Sequence, residues 1–264
     1  MGNVIMITSC KGGVGKTTVT SGIAAALALQ GASVIAVDMD FGVRSLDLAL
    51  GFEDSVCADA YNLITGKCAV GDAYTSGYSL PSLAFMPAPI GFDLNMLEEI
   101  TAEQVDSFLK QLKSEFDYVL LDMPAGFGKL FELVAHSEAV DTPVVVCSHS
   151  PSSVRAAEKT AFELCRLGKN NPRLVINMFN IPFVKKGIYP GIIDIIERSS
   201  VKLLGVVPAD SGIDGIQQHG GLINCLTLKT DGTKAINNIA LRLSGQRVSL
   251  MDSIMKASKR EKLL

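Results

Sequence analysis

The stretch from Cys10 to Thr18, CKGGVGKTT, has the residue types of a phosphate cradle. It follows the apolar run Val4-Ile5-Met6-Ile7 and precedes a helix-like run from Val19 to Gln30. Gly12, Gly13 and Gly15 let the backbone turn without Cβ clashes, so successive N–H groups can converge on one anion at the positive end of the next helix. Lys16 is spaced to meet β- and γ-phosphates and the Thr17 hydroxyl to ligate Mg²⁺, with Val14 and Thr18 completing the candidate contacts. Where the general pattern has its first glycine this chain has Cys10, whose thiol is either inert packing or an oxidation-sensitive spot. The remaining GxGKT, between a strand and a helix, is still a strong signal of a phosphate-binding loop.

Two apolar runs end in acids: Ser33 to Asp38, followed closely by Asp40, and Tyr118 to Asp122. In parallel sheets, ligands gather beyond the carboxyl ends of the strands. Asp38, Asp40 and Asp122 therefore fall on the cradle's side. Asp122 is placed to accept a hydrogen bond from Thr17 or from a Mg²⁺-bound water. Phosphoryl transfer needs charge neutralisation and an oriented water, which Asp38 and Asp40 could support. The alternative for these two is a surface turn of solvated acids.

The elements that must position these groups alternate regularly. Helix one should stop at Gly31, and Asp59 to Gly66 reads as a short helix with a glycine stop. Leu83 to Pro87 reads as a strand, and Thr101-Ala-Glu-Gln104 as a capping box opening a helix to about Ser114. Further strands are expected at Pro143 to Cys147, Leu174 to Asn177 and Leu204 to Pro208. Helices are expected to about Leu167 and from about Asp231 to Leu243. His149 reads as a polar contact rather than a base. The pattern predicts one α/β P-loop domain over residues 1–247, with a mostly parallel central sheet flanked by helices on both faces, and a tail over 248–264.

Nearly half of the 264 residues are hydrophobic and none is Trp, which suits Val/Ile/Leu strands under Ala-rich helices. The net charge of −3 provides no general attraction for nucleic acid, so no sequence-specific nucleic-acid partner is expected. The six cysteines show no CxxC pair and no zinc spacing, as expected of reduced thiols and unlike an iron–sulfur carrier. No apolar run approaches the ~18 residues of a spanning helix. A cytoplasmic chain with at most peripheral membrane contact is the expectation.

KGGVGKTT, with Lys11 at the loop entrance, resembles the deviant Walker A motif of the ParA/MinD family of ATPases. The segment Asp38 to Gly51, including Gly42, Arg44, Leu46, Asp47 and Leu48, is similar to switch I of the MinD branch, and Pro124-Ala-Gly126 to switch II. The resemblance implies that Lys11 reaches the partner's phosphates across an ATP-dependent homodimer. It implies that Asp40 positions the attacking water, that Asp38 supports the metal through water, and that an N–H near Gly126 senses the γ-phosphate. It also implies that Asn177 hydrogen-bonds adenine while Pro208 and Asp210 frame the base. A cell-division regulator of the MinC type is the implied partner.

The tail from Ser249 places Leu250, Met251, Ile254 and Met255 on one face. Lys256, Lys259, Arg260 and Lys262 stand against Asp252 and Glu261. The MinD branch ends in an amphipathic helix at this position, which implies association with an anionic membrane surface at the inner face of the cell membrane. The alternative is a helix packed on the domain. Two other functional readings stay open on sequence alone: a DNA- or cargo-partition or flagellar-number ATPase of the same superfamily, and a nucleotide-binding scaffold with little hydrolysis.

Overall fold

In a computed structural model, which describes residues 2–53, 57–91, 93–216 and 229–258, the predicted strands assemble into one eight-stranded sheet. Along the chain come β1 (Asn3–Ser9), α1 (Lys16–Leu29), β2 (Val34–Asp38), α2 (Leu46–Leu50), α3 (Ala60–Ile64), β3 (Thr75–Ser76) and β4 (Leu83–Met86). Then follow α4 (Leu94–Glu99), α5 (Ala102–Glu115), β5 (Tyr118–Ala125), α6 (Lys129–His136), β6 (Val140–Cys147), α7 (Pro151–Arg166) and β7 (Arg173–Phe179). The last elements are α8 (Ile181–Lys185), α9 (Ile192–Ser199), β8 (Lys202–Pro208), α10 (Ser211–Ile216), α11 (Asp231–Leu243) and α12 (Asp252–Ser258). The strand order is β3-β4-β2-β5-β1-β6-β7-β8, and only the short β3 pairs antiparallel to its neighbour.

Period-two alternation divides the apolar residues between two cores. Val4, Met6, Val119 and Leu121 face the cluster completed by α5, α6 and α7, whereas Ile5, Ile7 and Leu120 face α1 and α11. Both faces being covered explains why the strands read as continuous apolar runs. The capping box at the start of α5 forms as expected, with Gln104 N–H donating to Thr101 Oγ1 at 3.2 Å and Thr101 N–H to Gln104 Oε1 at 2.9 Å. Elements the sequence reading left out, namely α2, β3, α4, α6, α8, α9 and α10, are each eight residues or fewer. Helices this short are held by tertiary packing rather than by their own propensity.

The sheet packs α11 closely at Gly205 in β8. A Cβ there would lie 2.3 Å from Ile239 Cγ1 and 2.7 Å from its Cδ1. Gly205→Ala should therefore cost about 1–3 kcal/mol through overpacking. A thermal melt should fall by several degrees; an unchanged midpoint would show that α11 can shift freely.

The tail departs from a free amphipathic helix. Ile254 is buried, Leu250 and Met251 are partly buried against the domain, and Met255 stays 45% exposed. The predicted apolar face is thus largely spent on the domain, because α12 lies against α8. The domain boundary at 247/248 is crossed as well, since Arg242 Nε donates to the Val248 carbonyl at 2.9 Å and Nη2 to that of Ser249 at 3.0 Å. Lys259 to Leu264, with much of the tail's predicted basic charge, lie outside the described residues, as do His219 and Cys225. Among the described residues no helix is long and apolar enough to cross a membrane.

Candidate active site

The cradle forms where β1 ends. Gly13 and Gly15 adopt φ of 73° and 83°, a region that glycine enters without the Cβ penalty, and Gly15 is the residue from which α1 starts. Asn177, brought in by β7, donates from Nδ2 to the Val14 carbonyl at 3.0 Å. A Cβ on Gly15 would sit 2.2 Å from that same nitrogen, so glycine is required twice over. Here Asn177 buttresses the loop while also lining the cavity beside it.

Under the cradle lie two carboxylates. Asp38 and Asp122 stand in register on the paired strands β2 and β5, and both are almost fully buried. Asp122 accepts from the hydroxyls of Thr17 at 2.7 Å and Thr20 at 2.8 Å. Asp38 accepts from the backbone N–H groups of Asp40 at 2.9 Å and of Ser45 and Leu46 at 3.0 Å each, which folds the 38–46 turn around it. Burial, with the charge of Asp122 beside it, pushes Asp38 up to about 7. Burial likewise raises Asp122 to about 6, against the two threonine hydrogen bonds and the nearby Lys16 charge. Adjacent buried acids with a hydroxyl between them and the cradle fit a divalent cation. Among the described residues no group of three His, Cys, Asp or Glu side chains forms a metal site by itself. Mg²⁺ commonly takes one or two carboxylates and completes its shell from phosphates and water.

A cavity of about 580 Å³ opens over the cradle, a size suited to a small-molecule ligand. Lys16, Thr17, Thr18, Asn177, Pro208 and Asp210 all line it, as do Gly13 and Gly15. Val14 is buried behind the loop and contributes its carbonyl to Asn177. Gly12 is an exposed turn residue. Asp210 is fixed by N–H donors from Gly212 at 2.9 Å and Gly232 at 2.8 Å, so it frames the cavity by tying β8 to the start of α11. Asp40 is half-buried on the turn after β2, close enough for its charge to act on Asp122.

Four other expectations meet specific contacts. Lys11 Nζ donates to Ser152 Oγ at 2.7 Å and to Ser150 Oγ at 3.4 Å, at the start of α7. Gly126, at φ 100°, donates its N–H to the Ser9 carbonyl at 3.2 Å. The Cys10 thiol donates to the Ala156 carbonyl at 3.2 Å, consistent with packing against α7. His149 is a polar contact: Nδ1 lies 3.1 Å from the Met178 carbonyl, its ring stacks on Tyr189, and burial lowers its pKa.

Sequence reasoning missed Thr20, Ser45 and Met178. Thr20 sits three residues after Thr17 on α1 and could have been found from that spacing. Ser45 lies 3.4 Å from Thr17 Oγ1, a meeting that depends on the fold of the 38–46 turn. Met178 lines the cavity in a left-handed conformation, φ 53°, for which sequence carries no signal.

The raised carboxylates make cation binding proton-linked. Below about pH 7 the folded protein carries protons on Asp38, and below about 6 on Asp122 as well, and a cation must displace them. Affinity for Mg-ADP should weaken as pH falls from 8 to 6, with net proton release. Calorimetry in two buffers of different ionisation heat measures it. Asp38→Asn should release fewer protons; equal release would exclude Asp38 as the linked group.

Residues 1–244 match a family model of ParA type, described as the NUBPL iron-transfer P-loop NTPase. The chain is 34% identical over 256 residues to the septum site-determining protein MinD of Synechocystis, covering 96% of this chain and 93% of that one. To MinD of Bacillus subtilis it is 34% identical over 253 residues, 95% and 92% of the two chains. The solved MinC:MinD cell division protein complex of Aquifex aeolicus contains a chain that superposes with a TM-score of 0.85 at 30% identity, over 95% of this chain and 98% of that one. By these matches the chain belongs to the ParA/MinD family of P-loop ATPases, on its MinD side, and is an ATP hydrolase.

Proposed function

We propose that the chain is a nucleotide-operated switch for placing the division site, as its septum site-determining relatives are named for. The observation that carries this reading is the buried Asp38–Asp122 pair beneath Thr17, joined through the 38–46 turn to Asp40. Gly13, Gly15 and the start of α1 present N–H groups to the phosphates, and Lys16 adds charge where the β- and γ-phosphates lie. Bound Mg²⁺ supplies neutralisation of the phosphate oxygens. Thr17 would ligate it, Asp122 would hold Thr17 or a metal-bound water, and Asp38 would support it through water. Asp40 orients the attacking water, and Asn177, Pro208 and Asp210 enclose the base.

Hydrolysis matters as a timer. Lys11, parked on Ser150 and Ser152, swings to the partner's phosphates when two ATP-loaded copies meet. Gly126 exchanges its Ser9 carbonyl for the γ-phosphate, so the two switch states differ in their contacts with one group. The dimer recruits a MinC-like regulator and holds two tails near one anionic membrane surface, where effective concentration strengthens weak binding. With Ile254 docked, surface binding draws on Met255, the basic residues after it, and release of α12. Sedimentation velocity with Asp40→Ala in ATP and in ADP tests the cycle. A dimer in ATP that Lys11→Ala reduces to monomer is expected; a monomer in both nucleotides would contradict it.

A further inference from the structure

At the end of the sheet away from the cradle is a second cavity, about 370 Å³, lined by Arg173, Arg242, Gln246, Arg247, Val248 and Ser249. Half of this lining is arginine and none of it is acidic. Arg173 opens β7, Arg242 lies in the last turn of α11, and Arg247 is exposed on the segment that follows.

The partners of these arginines are neutral. Arg242 donates from Nη1 to the Leu204 carbonyl at 3.0 Å, in addition to its bonds to Val248 and Ser249. Arg173 donates from Nη2 to the Leu203 carbonyl at 3.4 Å, and its Nε is buried without an acceptor. The ion pairs among the described residues do not include any of the three. Burial, with the charge of Arg173 close by, lowers the pKa of Arg242.

A structural role accounts for part of this. Arg242 clamps the root of the tail, and a clamp made through carbonyls needs no second cation. Arg173 and Arg247 add positive charge that such a clamp would be better without. An anion removes the conflict, and the planar guanidinium fork matches the oxygens of a phosphate group. We propose that Arg173, Arg242 and Arg247 form a binding site for a phosphate group, supplied either by the headgroup of an anionic lipid or by free phosphate. Since Arg242 also holds the Val248 and Ser249 carbonyls, an occupied site shares a side chain with the tail's anchor.

The test uses full-length protein saturated with Mg-ADP, so that the nucleotide site is filled. Inorganic phosphate is titrated against chloride at constant ionic strength, and protection from thermal unfolding is read in wild type, Arg247→Gln and Arg173→Gln. Arg247 is exposed, so its variant should fold normally even if Arg173→Gln does not. Phosphate affinity should fall about 10-fold or more in Arg247→Gln. Phosphate protection that is absent in wild type, or equal in wild type and both variants, would overturn the site. A second arm, run in Mg-ATP, pellets the proteins with vesicles of phosphatidylglycerol and phosphatidylcholine, and with phosphatidylcholine alone. Loss of phosphatidylglycerol-dependent pelleting in Arg247→Gln, alongside lost phosphate affinity, assigns the lipid headgroup; unchanged pelleting with lost phosphate affinity assigns free phosphate. The first arm needs no membrane, so it stands or falls apart from the surface-binding reading.

Discussion

Replacing Asp40 by Ala should slow ATP hydrolysis by about 10²-fold or more while leaving Mg-ATP binding near wild type, because a group that orients water acts on the step rather than on the ground state. The geometry separates the two effects. Asp40 lies on the turn after β2 and the phosphate contacts come from the loop after β1, so its side chain can be removed without touching Lys16 or Thr17. Its backbone N–H, which donates to Asp38, is kept by the substitution. The variant should accumulate in the ATP-bound dimer. Single-turnover phosphate release measures the effect, and turnover at the wild-type rate would remove Asp40 from its assigned role.

Lys16→Ala should act at the earlier step and weaken ATP binding by about 10²-fold or more, since a charge-assisted contact to phosphate is lost inside a partly enclosed cavity. A second consequence follows from Asp122, whose ionised form the Lys16 charge favours. Without Lys16, Asp122 should hold its proton to higher pH, so residual Mg²⁺ binding should recover only at more alkaline pH. Nucleotide affinity by fluorescence titration, with a thermal melt to establish folding, measures both. A folded variant that binds ATP normally would mean that the cradle does not use this lysine.

The parts of this site that follow from local chemistry were legible in the sequence. Glycine at 13 and 15 is dictated by backbone conformation, and an acid closing an apolar strand marks the ligand edge of a parallel sheet, so the loop, Asp38 and Asp122 could be read directly. The mostly parallel character of the sheet was implied by strands alternating with helices. What escaped depends on contacts between distant segments. Asn177 was expected at the base, and its bond to Val14 across the cradle required knowing how β7 stands beside β1's loop. Thr20 becomes visible as a ligand of Asp122 only when α1 lies over β5. The tail shows the limit most clearly: its apolar face is the same whether it meets a membrane or a domain, and the docking of Ile254 comes with the packing of α12 against α8.

Control by ATP of where this protein resides is read by co-sedimentation with anionic vesicles. The full chain and a chain ending at Ser249, which keeps the carbonyls held by Arg242, should be compared in Mg-ATP and Mg-ADP. Pelleting of the full chain in ATP, little in ADP, and none for the shortened chain is the predicted result. Pelleting that is equal in the two nucleotides, or absent from both while hydrolysis is intact, would contradict a nucleotide-operated surface switch.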